Sequence, residues 1–430
     1  MGRFRISGVA TAFSRIGGTA HPRSPQDCSA VRLLFLFVGE PHQLFHALPL
    51  AAELSAIRPD VHLEVAVASE AHRPMVEQVL AAYPGFKPPV RRLVPPRAEH
   101  GLRRVGIRGQ LRIPTLLAAL PYLRSFDAIV VPERTTTIIR HLLGRTKLIF
   151  TPHGAGDRAI MLDPRDRHFD FVLVAGEKSE RRLLDAGTIR PGAYAVNGYV
   201  KMDFMARLAA QRPRLFDNDG PTVLYAPHFR PSLSSWERLG RHVIAAFAGQ
   251  DRYNLVVAPH VRLFHGASAK AKRAFEQLAV PGKIIVDLGS DRLVDMTYTS
   301  AADIYLGDVS SQVYEFLARP KPCVFLNAHR VAWRDDPDYR FWTLGDVVED
   351  SDAVLPAIDA APSRHGLYAG LQRCALAESV GGDPVGAARR GAEAIAGFLQ
   401  GRRLPIVPLA PAARTLAGGL NDDAGEPRAA

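Results

Sequence analysis

Short apolar runs alternate with amphipathic ones along most of this chain, and that rhythm limits the fold more than any single residue. "VRLLFLFVG" (31–39) leads into "HQLFHALPLAAELSAI" (42–57), and "VHLEVAVAS" (61–69) into "AHRPMVEQVLAAY" (71–83). "FDAIVVPE", "TKLIFTPHG", "FDFVLVAG" and "AYAVNGY" continue it, mostly separated by helical stretches such as "EKSERRLLDAG". Strand-like runs spaced by helix-like ones predict parallel sheets wrapped by helices.

The polar, proline-bearing stretch "QRPRLFDNDGP" (211–221) interrupts the pattern, which then restarts with "TVLYAPHF", "YNLVVAPH", "KIIVDLG", "ADIYLGD" and "KPCVFLN". The expectation is an α/β chain of two doubly wound, Rossmann-type domains facing across a cleft, spanning 31–212 and 213–403. A composition of 47% hydrophobic and 23% charged residues supplies two cores. Residues 1–30 are basic until Asp27 and lack a continuous apolar stretch, which predicts a flexible tail rather than a secretion signal. Residues 404–430, rich in Ala, Pro and Gly, predict a disordered tail.

Cys28, Cys323 and Cys374 are far apart without metal-ligand spacing, as in a reduced cytosolic chain. No apolar run approaches the roughly 18 residues a membrane-spanning helix needs. A net charge of +11 favours polyanionic partners. Between Val90 and Arg112, seven arginines face one glutamate, which reads either as a solvated surface or as a contact for anionic lipid or polymer.

Ligands of open α/β sheets sit beyond the carboxyl ends of strands, so four strand ends carry the functional reading. In "ADIYLGDVSSQVYEFLARP" a strand turns at Gly307 and Asp308, and Ser310 and Ser311 stand where a helix should begin. Free N–H groups and hydroxyls there would cradle a diphosphate, with Glu315 in reach of a ribose hydroxyl; a plain helix cap is the alternative. In "KLIFTPHGAGD", His153 before Gly154 is a candidate general base, or else a loop histidine bonded to backbone. "YAPHFR" and "APHVR" repeat one pattern after two strands, placing His228 with Arg230 and His260 with Arg262. Protonated imidazole and guanidinium suit phosphate oxygens. His42 and His46 read as a packed or surface pair, because nothing nearby completes a metal site.

Taken in order, these stretches resemble the CDP-glycerol glycerophosphotransferase family, enzymes of the teichoic-acid polymerase and primase kind. "PHG" (152–154) is similar to the family's W-H-G, "GYVKMD" (198–203) to G-Y-P-R-x-D, and "LYAPHFR" (224–230) to L-Y-A-P-T-x-R. "APH" ending at His260 resembles a strand that finishes in His-Pro, and "GDVSSQVYEF" (307–316) resembles T-D-Y-S-S-x-x-F-D-F. The chain departs from the family at Pro152, Val200, Lys201, His228, Val261, Gly307 and Val309.

The resemblance implies a GT-B fold, with the nucleotide held by the second domain and the acceptor approaching from the first. It implies transfer of glycerol phosphate from CDP-glycerol, or a related CDP-alcohol, to a hydroxyl of a cell-surface polymer or lipid-linked precursor, releasing CMP. Carried over by position, His153 matches the family's base, His228 stands where the family has threonine, and His260 matches a position near the donor phosphates; all three are expected to be catalytic. Gly154, Lys201, Asp203, Arg230, Asp308, Ser310, Ser311 and Glu315 contact substrate. No cofactor, metal or nucleic-acid partner is expected, and the place of action is the cytoplasm, including the inner face of the membrane. Two other readings stay open: a GT-B glycosyltransferase or sugar-nucleotide epimerase using a UDP-sugar, and a non-catalytic nucleotide-binding protein.

Overall fold

Strands that are apolar along their whole length must be covered on both faces, and both sheets of the chain are built that way. The computed structural model describes residues 31–94, 112–154, 162–209, 212, 214–264, 266–310, 312–381 and 383–402. The first sheet comprises β1 (Arg32–Phe37), β2 (His62–Val67), β3 (Val90–Arg92), β4 (Ala128–Val131), β5 (Lys147–Phe150), β6 (Phe171–Val174) and β7 (Tyr194–Val196). Its strands lie in the order β3-β2-β1-β4-β5-β6-β7, all parallel.

The second sheet comprises β8 (Thr222–Ala226), β9 (Asn254–Val257), β10 (Ile284–Val286), β11 (Ile304–Gly307), β12 (Cys323–Leu326) and β13 (Asp346–Val348). Its order is β10-β9-β8-β11-β12-β13, again all parallel. The two doubly wound sheets expected from the alternation are both present.

The period-two alternation of side chains divides β1 between two cores. Phe35 and Phe37 pack with the helix Leu48–Ile57, whereas Leu34 and Leu36 pack with Leu116, Leu123 and Ile139 on the other face. Each such side chain contributes about 1.5–3 kcal/mol when fully buried. The second sheet has the same two-sided core, with Tyr225 on one face and Leu224 on the other.

Both orders reverse beside a central strand, between β1 and β4 and between β8 and β11. Connections leave in opposite directions there, and a crevice opens at the strands' carboxyl ends. Each half therefore offers one such crevice, and the loops after β1, β4, β5, β8, β9 and β11 border them.

The end of the chain departs from the expected division. The 27-residue helix Val354–Val380 starts in the second core through Val354 and Ile358 and ends in the first through Leu376 and Val380. The final helix, Ala387–Leu399, then lies wholly on the first sheet, where Phe398 stacks on Phe171 at 4.8 Å. Gly391 permits this approach: a Cβ there would meet Leu50 Cδ2 at 2.5 Å and Asn197 Nδ2 at 2.9 Å. The stretch 213–403 thus does not all belong with the second sheet. Among the described residues, no helix is long and apolar enough to cross a membrane.

Candidate functional site

On the first half, β5 ends in Thr151-Pro152 and delivers His153 beside the loop that follows β4. The His153 Nδ1 lies 2.5 Å from the Pro132 carbonyl oxygen. A carbonyl only accepts, so Nδ1 carries the proton and Nε2 keeps its lone pair. The Gln43 amide nitrogen is nearly equidistant from the two ring nitrogens, at 3.3 and 3.4 Å. An in-plane position between them would press on Cε1, so the amide lies over the ring face and leaves the lone pair of Nε2 open. His153 has an exposed surface, yet protein crowds its other sides, and that burial lowers its pKa from the ordinary value. Arg134 and Arg112 lower it further, while Pro132 and Glu133 oppose them.

The turn after β1 is a 3-10 segment, Pro41–His46, and it separates the surroundings of its two histidines. His46 is packed, edge-on to Tyr199 at 5.3 Å and to His153 at 6.3 Å. Burial holds its pKa well below the ordinary value, and its Nδ1 has no partner. His42 is half-buried, with its pKa lowered to about 3 by burial and then by Lys201, His153, His260 and Arg112. Sequence reasoning missed Gln43 and underrated His42, although both follow β1 at a switch point, the position the fold favours for ligands.

On the second half, the two Ala-Pro-His-x-Arg stretches fold alike. The backbone N–H of Arg230 donates to His228 Nδ1 at 3.0 Å, and that of Arg262 donates to His260 Nδ1 at 3.1 Å. An N–H only donates, so both Nδ1 atoms are unprotonated and each neutral ring carries its proton on Nε2. The rings lie 5.9 Å apart, with Phe229 against both. Burial and Arg262 lower the pKa of His260 to about 4, so the protonated imidazole expected there is corrected to a neutral donor. Arg230 and Arg262 flank Phe229 at 5.8 and 4.4 Å and have no carboxylate partner among the described residues.

Asp308 is fully buried, and its Oδ2 accepts the backbone N–H groups of His228 and Ser235, both at 2.8 Å. Its Oδ1 has no partner, and burial raises its pKa to about 7. Asp308 thus fixes the His228 loop from behind. Ser310 accepts the Gln312 N–H at 3.2 Å and starts a helix of only five residues, Gln312–Phe316. So short a helix has little macrodipole to add to its free N–H groups. Ser311 lies outside the described residues.

Glu315 reaches across to the first half instead of toward solvent. Its Oε1 accepts from Lys201 Nζ at 2.7 Å and from the Tyr199 hydroxyl at 3.2 Å, all three residues being buried. Beside it, Lys178 donates to the Tyr314 hydroxyl at 3.2 Å and to Ser379 at 2.6 Å. Asp203 is engaged elsewhere: its two oxygens accept the backbone N–H groups of Gly386 and Ala388, at 3.0 and 2.9 Å. It caps the final helix, which corrects the expected substrate contact.

Gly154 lines an apolar hollow with Phe150, Val172 and Leu183, next to the Arg134–Asp166 ion pair. Among the described residues, no group of three His, Cys, Asp or Glu side chains is arranged to hold a metal ion. Most of the arginine-rich stretch 90–112 lies outside the described residues, as do the tails 1–30 and 404–430.

The site thus sets a hydrogen-bond acceptor, His153 Nε2, on one half, and two imidazole donors with two guanidinium groups on the other. No protein-family model matches the sequence, and no curated protein matches it. Solved structures share its fold. The wall teichoic acid polymerase TagF superposes with a TM-score of 0.60 at 12% identity, over 86% of this chain and 89% of that one. UDP-GlcNAc 2-epimerase from Neisseria meningitidis, bound to UDP-GlcNAc, gives 0.56 at 14% identity, over 87% and 100%. The S. aureus MnaA–UDP structure gives 0.58 at 15%, over 86% and 97%. The chain therefore has the GT-B-like arrangement of two Rossmann-type halves.

Proposed function

We propose that the chain transfers a glycerol-phosphate unit, or a related polyol phosphate, from a CDP-linked donor to an acceptor hydroxyl and releases CMP. The observation that carries this reading is the opposed protonation of the cleft histidines. His153 Nδ1 is committed to the Pro132 carbonyl, leaving Nε2 to accept a proton. His228 and His260 accept backbone N–H groups at Nδ1, placing their protons on Nε2 to donate.

In this mechanism an acceptor hydroxyl gives its proton to His153 Nε2 as its oxygen attacks the β-phosphorus. The new oxygen–phosphorus bond forms while the bond from that phosphorus to the bridging oxygen breaks, and CMP leaves with the electron pair. Arg230, Arg262 and the two Nε2–H groups stabilise charge on the departing phosphate. Phosphoryl transfer depends chiefly on positioning and on fixed donors of this kind. A base held in place contributes about 10²–10⁴-fold, and a neutral His153 is ready to act without first losing a proton. The acceptor, a polymer or lipid-linked hydroxyl, enters from the first half beside Gly154.

The test is product release from CDP-glycerol, CDP-ribitol and UDP-GlcNAc in parallel. CMP release that depends on an acceptor supports the proposal. Epimerised UDP-sugar, or sugar transfer with UDP release, replaces it with the UDP-sugar reading. Binding of a nucleotide without turnover on any donor and acceptor replaces it with the non-catalytic one.

A further inference from the structure

The side-chain amide of Gln43 is buried against the proposed base, and the fold leaves its hydrogen-bonding needs unmet. Gln43 is 5% exposed, its backbone N–H donates to the Glu40 carbonyl at 3.0 Å, and its neighbours Leu44 and Phe45 are fully buried in the first core. The stem is thus fixed, while the terminal torsion of a glutamine keeps a broad, roughly two-fold profile. The Gln43 Oε1 is buried without a hydrogen-bond partner. Its amide nitrogen rests over the His153 ring, where a neutral imidazole offers only its face. An unpaired buried amide is unfavourable and is rare in folded chains unless it has a use. Gly39 makes the place for it, since a Cβ there would meet Oε1 at 1.9 Å and Cδ at 2.9 Å. His72 holds that turn in place, with its Nε2 3.2 Å from the Gly39 carbonyl oxygen.

His153, for its part, has no carboxylate bonded to it. Among the described residues its hydrogen-bond contacts are the Pro132 carbonyl and the Gln43 amide. Glu133, next to Pro132, accepts from the Thr135 N–H and the Thr136 hydroxyl instead. Arg134 pairs with Asp166, and Arg112, on the helix Arg112–Ala118, pairs with Glu40. The other titratable neighbours are His42 and His46 of the 3-10 segment, with the His46 ring at 6.3 Å. Glu133 alone in this set favours a proton on His153; the two arginines oppose it. A half-turn of the Gln43 amide would bring one further oxygen, Oε1, to the ring.

We propose that Gln43 is a positioning residue for His153: its amide lies nitrogen-first on the neutral ring and, once the ring holds a second proton, makes a half-turn that sets Oε1 against the imidazolium. The exchange needs no movement of the stem, because the two ends of a carboxamide are nearly equal in size. It also leaves the ring plane as it was, so Nε2 keeps its aim. An amide N–H suits the electron-rich face of a neutral ring, and an amide oxygen suits a cationic one. Each state of the base therefore selects one orientation of the amide. A base supported in this way is open and neutral before the transfer and is stabilised as it takes the acceptor's proton. That consequence for catalysis rests on the transfer proposed above, whereas the half-turn itself does not.

The test is an NMR pH titration of the nucleotide-free full chain that follows the His153 ring and the Gln43 side-chain amide together, in the parent, Gln43→Met and Gly39→Ala. In the parent, the amide protons should be shifted upfield by the neutral ring and lose that shift at the same midpoint as His153. Gln43→Met fills the same space without an amide, and Gly39→Ala displaces the amide without altering it. Both remove an oxygen that favours the charged ring, so both should lower the His153 midpoint. In CMP release from CDP-glycerol both should lose about tenfold in kcat/KM, the size of one hydrogen bond to a charged group, with donor affinity kept and the acid limb moved to lower pH. Amide protons that ignore the His153 titration, or a midpoint in Gln43→Met equal to or above the parent's, overturn the proposal. Should Gln43→Met fail to fold, Gly39→Ala and the parent's own titration decide. A parent whose two signals titrate together but which releases no CMP overturns the transfer reading and leaves the half-turn standing; CMP release with unmoved amide protons does the reverse.

Discussion

Lys201 and Glu315 meet at 2.7 Å across the junction of the two halves, with side chains only 7% and 11% exposed. Lys201 comes from the first residues of the helix Val200–Leu208, and Glu315 from the short helix after β11. Removing one member of a buried pair strands the other, at a cost of about 3–5 kcal/mol, whereas replacing both with apolar groups restores much of the loss. Lys201→Met should therefore lower the unfolding free energy by about that amount in urea denaturation, and Lys201→Met/Glu315→Leu should recover most of it. If Glu315 instead serves mainly to bind substrate, Lys201→Met will leave stability unchanged.

Asp203 offers a sharper contrast between what its motif implies and what its surroundings do. Its carboxylate caps the final helix through Gly386 and Ala388. Loss of such a cap costs about 0.5–2 kcal/mol. Asp203→Ala should lower stability within that range while leaving the affinity for CDP-glycerol within about twofold, a shift under 0.5 kcal/mol. A large loss of donor affinity at unchanged stability would return Asp203 to the substrate.

The pH dependence of stability has two opposed parts. His260 and His42 titrate in the folded chain at about 4 and about 3, below the ordinary imidazole value of 6.5. The unfolded chain takes up these protons first, so their contribution is fully present above 6.5 and is lost as pH falls toward those values. Asp308 behaves inversely, its folded value of about 7 lying above the ordinary carboxyl value of 3.8. Its contribution is fully present below 3.8 and is lost as pH rises toward 7. Urea titrations across this range should show the acid loss reduced in His260→Asn, whose amide oxygen can still accept the Arg262 N–H. Asp308→Asn should gain on the parent between pH 4 and 7, the interval over which the parent loses the contribution of its protonated carboxyl. Curves parallel to the parent in both variants would contradict these assignments.

The fold was legible because strands buried on both faces must read as apolar runs, and β1, β8 and β11 do so without ambiguity. The strand ends were legible for the same reason: a polar residue directly after such a run lies where the switch point opens. What stayed hidden depends on contacts distant in sequence. Nothing near Ala387 shows that its helix returns to the first sheet, since that docking relies on Gly391 against Leu50 and on Asp203. Gln43 gave no local signal, because its position over His153 joins residues 110 apart. The carboxylates misled most. Asp308 and Glu315 occupy motif positions, but their surroundings turn one toward backbone N–H groups and the other toward Lys201.

In the proposed reaction His153 takes a proton from the acceptor while the second half holds the donor's phosphates. It is tested most directly by measuring CMP release from CDP-glycerol, with a synthetic lipid bearing a terminal glycerol hydroxyl as acceptor, in the parent and in His153→Ala. Donor affinity is measured by calorimetry on the same samples. The expected result is acceptor-dependent CMP release that falls by about 10²–10⁴-fold in the variant, with donor affinity nearly unchanged. CMP release by His153→Ala at the parent rate would contradict it.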